Sequence, residues 1–341
     1  VISSIIKYSA LTWLLISSSS SVAQSLHEQT QLSVYRGAGC TGRSEIPKFE
    51  RFLGKKVTRT VDALDVRGWP EMLSSAQWIS ECWRDSGLEV TISIPMLPEQ
   101  ANVNLRAGAQ GEYDQYFQHI ARTLVRNGLG DSVVRIGWEF NGNWMPWSAS
   151  QDPSSFIAFW RRIVRIFRAV EEQTFLFEWC PNHGSNEIDP TSVYPGDDVV
   201  DIIGMDVYNQ TWSSETLDPR KRWEYFLEGP FGLRWHNEFA KRHGKMLAYS
   251  EWGTGTRPDG HGAGDDPLFI AKMADWIQET KPLYHNYWDY SAPDYDAKLS
   301  GGKFPRAAAE FQRRFGCLSA SCRAKLNGAG SEHRSSSPSY R

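Results

Sequence analysis

Short runs of branched and aromatic apolar residues alternate with longer amphipathic stretches along almost the whole chain, and this alternation constrains the fold most. Eight runs have the length and character of buried strands: residues 32–35, 58–64, 89–94, 132–137, 174–179, 199–205, 245–250 and 283–288. Helices are predicted between or after them over residues 45–54, 71–86, 113–127, 154–171, 221–243, 267–279 and 305–315. Asp152-Pro153-Ser154-Ser155 supplies an N-terminal signal for the fourth. Only the stretch from 186 to 198 breaks the rhythm and reads as a loop. Repeated strand–helix units without a linker call for parallel strands. Eight of them in 341 residues predict an α/β fold, a single (β/α)8 TIM barrel. A doubly wound sheet would instead carry a glycine-rich phosphate turn after an early strand. The first run leads into Arg36-Gly37-Ala38-Gly39-Cys40, with no G-x-G-x-x-G or P-loop, so a nucleotide site is not expected.

The two ends fall outside this pattern. Lys7 precedes an apolar run over residues 8–16, a serine tract and Ser21-Val22-Ala23. A charged start, a short apolar core and a small-x-small site predict a secretory signal peptide over residues 1–23. The run is too short to span a bilayer. The barrel is expected over residues 24–326, and residues 327–341, mostly Gly, Ser and charged, as a disordered tail. The protein is therefore expected to be secreted or periplasmic. Its net charge of -3, without a Lys/Arg cluster, points to no nucleic-acid or anionic-membrane partner. Of the five cysteines, Cys40 with Cys82 and Cys317 with Cys322 are candidate pairs, leaving Cys180 as a buried thiol. Other pairings remain open.

In a barrel, chemistry is carried at the C-terminal ends of the strands. The fourth run ends Arg135-Ile136-Gly137-Trp138-Glu139, and the seventh ends Tyr249-Ser250-Glu251-Trp252. These ends face each other across the mouth of an eight-stranded barrel. Two carboxylates there are expected to stand about 5–5.5 Å apart, the separation for cleavage of a glycosidic bond with retention. One carboxyl must carry a proton for the leaving oxygen, while its partner must be ionised to attack the anomeric carbon. Arg135, on the same side of its strand as Glu139, is placed to favour an ionised Glu251. Tyr208, after the sixth strand, is placed to donate a hydrogen bond to it.

Residues 135–147, residues 194–208 (with Tyr194-Pro195-Gly196-Asp197-Asp198) and Ser250-Glu251-Trp252-Gly253 resemble glycoside hydrolase family 26. That family includes β-mannanases, mixed-linkage glucanases and β-1,3-xylanases. The resemblance implies Glu139 as acid/base, Glu251 as nucleophile, Tyr208 as the residue orienting the nucleophile, and Trp288 as the platform beneath the sugar. It implies a retaining endo-acting hydrolase of a β-linked polysaccharide, of the β-mannan or β-glucan type. One departure bears on substrate: the family's mannanases typically have His before the acid/base, where this chain has Trp138.

Fifteen tryptophans suit such a groove, because an indole packs flat on a sugar face while its N–H finds a polar partner. The substrate-binding candidates are Arg135, Trp138, Trp144, Trp147, Asn182, Tyr208, Trp212, Trp252 and Trp288, with Trp69 on a further predicted mouth loop. No metal or cofactor is expected. His236 and His243 share a face of an exterior helix and read as solvated positions, and Asp265, Asp266, Asp294 and Asp296 form no complete calcium-ligand pattern. There is no G-x-S-x-G elbow. The alternative to an enzyme is a non-catalytic carbohydrate-binding barrel, or an accessory protein of exopolysaccharide processing, which needs no paired glutamates. The chain is expected to act as a monomer on a polysaccharide or oligosaccharide.

Overall fold

The computed structural model describes residues 30–317 and residue 319. The expected export signal, the expected tail and Cys322 lie outside the described residues. The strands are β1 (Gln31–Tyr35), β2 (Arg59–Ala63), β3 (Glu89–Ile94), β4 (Val133–Ile136), β5 (Leu176–Trp179), β6 (Ile202–Ile203), β7 (Asp206–Asn209), β8 (Met246–Thr254) and β9 (Tyr284–Trp288). All pair in parallel, β1 beside β9 and β6 beside β8, so the sheet closes into a TIM barrel.

The expected sixth strand is two short pieces, β6 and β7, separated by Gly204-Met205. Gly204 faces the buried Glu178 carboxyl and the Ser250 hydroxyl, leaving no room for a side chain. β6 continues the β5 ladder, whereas β7 pairs with β8, setting Asp206 beside Glu251, and bridges to Asn182. The two pieces act as one stave of an eight-stave barrel.

Around it run α1 (Gly39–Leu53), α2 (Trp69–Trp83), α3 (Leu105–Gln110), α4 (Asp114–Arg126), α5 (Pro153–Arg168), α6 (Pro219–Glu228), α7 (Leu233–His243), α8 (Pro267–Thr280) and α9 (Pro305–Phe315). In α5, Asp152 accepts from the Ser155 N–H, and Pro153 opens the first turn. Phe156, Phe159, Trp160, Ile163 and Phe167 then recur at three- and four-residue steps and bury one face against the barrel. Among the described residues, no helix is long and apolar enough to cross a membrane.

The single helix expected over residues 221–243 is in fact α6 and α7. Gly229-Pro230-Phe231-Gly232 interrupts it, with Phe231 at φ 51°. His236 faces inward on α7, contrary to the expectation of a solvated position. It is fully buried, and its Nε2 lies 2.9 Å from the Ile203 carbonyl. Three of the four aspartates considered for calcium serve the backbone and ion pairs, and Asp294 lines the cleft at the barrel mouth. Asp266 caps α8 and pairs with Arg222, Asp265 accepts from the first N–H groups of α9, and Asp296 pairs with Lys303.

Cys40 and Cys82 form a disulfide across 42 residues, and Cys180 is a buried free thiol. The bridge ties the start of α1 to the end of α2, closing a loop that contains β2. Closing a loop of that length stabilises the fold by about 3–4 kcal/mol through the unfolded state. The double substitution Cys40→Ser, Cys82→Ser is therefore expected to lower the unfolding free energy in urea by about 3 kcal/mol. Unchanged stability would contradict a structural role for the bridge.

Candidate active site

After β4 the chain turns sharply into the barrel mouth. Gly137 has φ 52°, and a Cβ there would press to 2.5 Å from the Met96 sulfur. Two residues on, Glu139 itself has φ 52°, a conformation costing a non-glycine residue about 1–3 kcal/mol. Its N–H donates to the Cys180 carbonyl (2.8 Å), and its carbonyl accepts from the Gly142 N–H (3.1 Å). The left-handed turn aims its carboxyl into the cleft.

That carboxyl is held by two donors. Asn182 Nδ2 donates to Oε1, and Trp144 Nε1 donates to Oε2 at 2.7 Å. Asn182 is itself fixed by Asn141, which accepts from its backbone N–H and donates to its carbonyl, both at 2.8 Å. Burial, and then the negative charge of Glu251, raise the Glu139 pKa from 4.5 to about 7, outweighing both donors.

Glu251 sits in a different setting. Arg135 Nη1 donates to Oε1 at 2.7 Å and the Tyr208 hydroxyl to Oε2 at 2.6 Å. Arg135 also pairs with Asp206 and approaches Glu178 at 3.8 Å, the three side chains being wholly buried. Ser250 and Tyr284 donate to Glu178, and Cys180 to Asp206. One cation thus serves three carboxylates. Burial in the first place pushes the Asp206 and Glu178 pKa values up, against the pull of Arg135.

The two glutamates open into a cleft of about 890 Å³. Trp138, Trp144, Asn182, Tyr208, Trp212 and Trp288 line it, as the sequence suggests. Three substrate-binding candidates do not. Arg135 lies beneath the cleft with no exposed surface and supports Glu251 instead. Trp147 is wholly buried, its Nε1 donating to the Trp138 carbonyl at 2.7 Å. Trp252 alternates outward from Glu251 along β8 and packs among His285, Tyr287, Phe311 and Phe315. Trp69 stacks on Tyr116 at 4.3 Å and anchors α2 to α4.

Other residues escaped the sequence reading. Asp206 stands two before Tyr208 on an inward strand face, and Glu178 interrupts the apolar run of β5. A charge at such a position is the signal that could have found them. Tyr35, stacked on Trp288 at 4.1 Å, and His183 and Tyr225 in the cleft wall left no pattern to read. Among the described residues, no cluster of His, Cys, Asp or Glu is placed to hold a metal ion.

Comparison with known proteins places this arrangement among relatives. Residues 108–218 match the model of glycosyl hydrolase family 26. Over 184 residues the chain is 27% identical to a mannan endo-1,4-beta-mannosidase of Bifidobacterium adolescentis, covering 50% of this chain and 18% of that protein. Over 117 residues it is 32% identical to endoglucanase H of Acetivibrio thermocellus, covering 31% of this chain and 13% of that protein. The matches thus span less than a fifth of these relatives' own lengths. The catalytic domain of a family 26 endo-beta-1,4-mannanase from Bacillus sp. JAMB-750 superposes with TM-score 0.59 at 15% identity, covering 86% of this chain and 88% of that one. A double mutant of the Cellulomonas fimi endo-beta-1,4-mannanase gives TM-score 0.60 at 20% identity, covering 86% and 74%. At these identities the superpositions establish the barrel fold.

The Glu139 environment has a measurable consequence. Because its folded pKa is raised from 4.5 to about 7, the folded chain holds this proton to higher pH than the unfolded chain. The associated stability is present at low pH and is lost as pH rises through about 7. Glu139→Gln, which cannot ionise, is expected to melt above the parent at about pH 8 and close to it at about pH 4. A variant melting below the parent at the higher pH would refute the assignment.

Proposed function

We propose that this chain is a member of glycosyl hydrolase family 26 and a retaining endo-glycosidase of a β-linked polysaccharide. The observation that carries this reading is the pair of glutamates at one cleft in opposite electrostatic settings. Glu139 keeps a proton near neutral pH and donates it to the leaving glycosidic oxygen. Glu251, receiving hydrogen bonds from Arg135 and Tyr208, attacks the anomeric carbon and forms a glycosyl-enzyme. Glu139 then takes a proton from water as water displaces Glu251.

A β-1,4-linked mannan or glucan backbone is the proposed substrate. The matched relatives are named for those two activities, and a neutral polymer suits a cleft whose Arg257 is paired with Asp259. Trp138 lines the cleft directly beside the acid/base, its ring over the Arg135 guanidinium (5.4 Å to the centroid). It presents an indole where the resembling mannanases carry His, which weights a glucan more heavily than family membership alone. Residues on both sides of the carboxylates line the cleft, from Tyr35 and Asp62 to Asn182 and Trp212, which supports cleavage within a chain. The chain is proposed to act as a monomer, because the proposed chemistry needs no residue beyond this chain's own two glutamates and their partners. Export is proposed from the N-terminal pattern, and the Cys40–Cys82 disulfide suits an oxidising compartment.

A reducing-end assay against β-mannan, mixed-linkage glucan, cellulose derivatives, xylans and bacterial exopolysaccharides tests the reading. Oligosaccharide release is expected from at least one β-linked polymer. Glu139→Ala and Glu251→Ala should each abolish it, and azide should partly restore only the Glu251 variant, giving an inverted product. Wild type and Glu251→Ala that bind the same polymer, with neither cleaving it, would point to a binding barrel instead.

A further inference from the structure

Resting on the glycosidase reading, we propose that the buried ion pair of Arg36 and Asp289 is a positioning pair for the reaction, holding the Tyr35–Trp288 stack against which the attacked sugar lies. Neither residue lines the cleft. β1 and β9 pair in register with Tyr35 opposite Trp288, so Arg36 and Asp289 follow side by side at the strand ends. Successive side chains of an extended chain point to opposite faces. The two rings line the cleft, and the two charges meet behind them. The rings stack at 4.1 Å with their planes 12° apart. Trp288 also meets Tyr208 edge-on at 6.3 Å, and Tyr208 donates to Glu251. A shift of the Trp288 ring is therefore a shift of the sugar relative to its nucleophile.

Arg36 and Asp289 are both buried, and every contact around them is directed. Arg36 Nη1 donates to the Asp289 carboxylate, to the Asp289 carbonyl at 2.7 Å and to the Ser300 hydroxyl at 2.8 Å. Its Nη2 donates to Glu45 of α1 at 3.0 Å. Ser300 in turn donates twice to the Asp289 carboxylate, from its N–H at 2.9 Å and from its hydroxyl at 2.6 Å. Burial raises the Asp289 pKa, and Arg36 is the largest pull against it. Beyond Arg36 the chain is fixed twice more. The Gly39 N–H donates to Asp62 at 2.7 Å, and Cys40 is bridged to Cys82. Tyr290 stands edge-on to both stacked rings, 5.3 Å from Tyr35 and 6.2 Å from Trp288.

The strands do not need this pair in order to meet, because their ladder runs from Gln31 beside Tyr284 to Tyr35 beside Trp288. Pairing stops at that last rung, which carries both rings, and the end of a ladder opens most easily unless it is tied. The ion pair stands one residue beyond the rung and ties it. It acts on the cleft through Trp288 and not by contact with substrate.

The test is a double-mutant cycle on kcat/KM, with the polymer that the parent cleaves fastest in the reducing-end assay. Arg36→Met combined with Asp289→Asn removes both charges together, so neither is left buried alone, and Glu45 keeps Lys48 as its partner. This variant is expected to fold and to lose about ten- to a hundredfold in kcat/KM. With Trp288→Ala already in place, the same change should cost no more than about twofold, because the ring it positions is gone. Asp289→Asn alone, which keeps the shape of the side chain, enters the same cycle and should show the same dependence on Trp288, so the test does not rest on one variant folding. Equal losses in both backgrounds would assign the pair to stability alone and overturn the proposal, as would unchanged kcat/KM. Either result leaves the glycosidase reading standing, since the parent still cleaves. A parent that cleaves none of the polymers removes both.

Discussion

Arg135 carries a positive charge to the centre of the barrel, where no water reaches it, and the site depends on how that charge is shared. A buried ion costs several kcal/mol unless well partnered, and removing one partner of a buried pair costs about 3–5 kcal/mol. Here the guanidinium binds Asp206 from β7 and Glu251 from β8, and lies near Glu178 from β5. Because these partners come from different strands, closing the barrel also brings Glu251, the proposed nucleophile, onto the guanidinium. The Asp206–Glu251 register, which the broken sixth stave permits, sets both carboxylates on the same guanidinium.

The same charge separates the roles of the two glutamates. Glu251 takes a hydrogen bond from Arg135, whereas Glu139 takes its hydrogen bonds from the neutral Asn182 and Trp144. With no cation bonded to it, Glu139 is governed by burial and by its neighbour's charge, and both favour the protonated form. The strained backbone at Glu139 fits this account. A left-handed φ is tolerated where surrounding hydrogen bonds over-determine it, and here it turns an acid out of a strand and into a cleft.

The sequence revealed the staves, and strand periodicity brought Glu139 and Glu251 to one mouth, because both signals are local. What it concealed was facing. Trp147 and Trp252 stand within a few residues of the glutamates, yet Trp252 alternates outward from Glu251 and Trp147 is buried against Trp138. The sequence placed Arg135 on the same side of its strand as Glu139, but did not show that Arg135 ends below the reach of substrate. His236 was misread for another reason. Its ring meets the Ile203 carbonyl, on a strand distant in sequence, and the helical period alone does not carry that contact. Tyr35, His183 and Tyr225 were invisible because their contacts join distant parts of the chain.

The central claim is that Glu251 forms the covalent intermediate. The most direct measurement is to treat the protein with 2-deoxy-2-fluoro glycosyl fluorides of mannobiose and cellobiose and locate the label by peptide mass spectrometry. The account predicts a stable adduct on Glu251, formed more slowly when Tyr208 is replaced by Phe. A label on Glu139 or on another carboxylate would contradict it, as would turnover with inversion and no adduct.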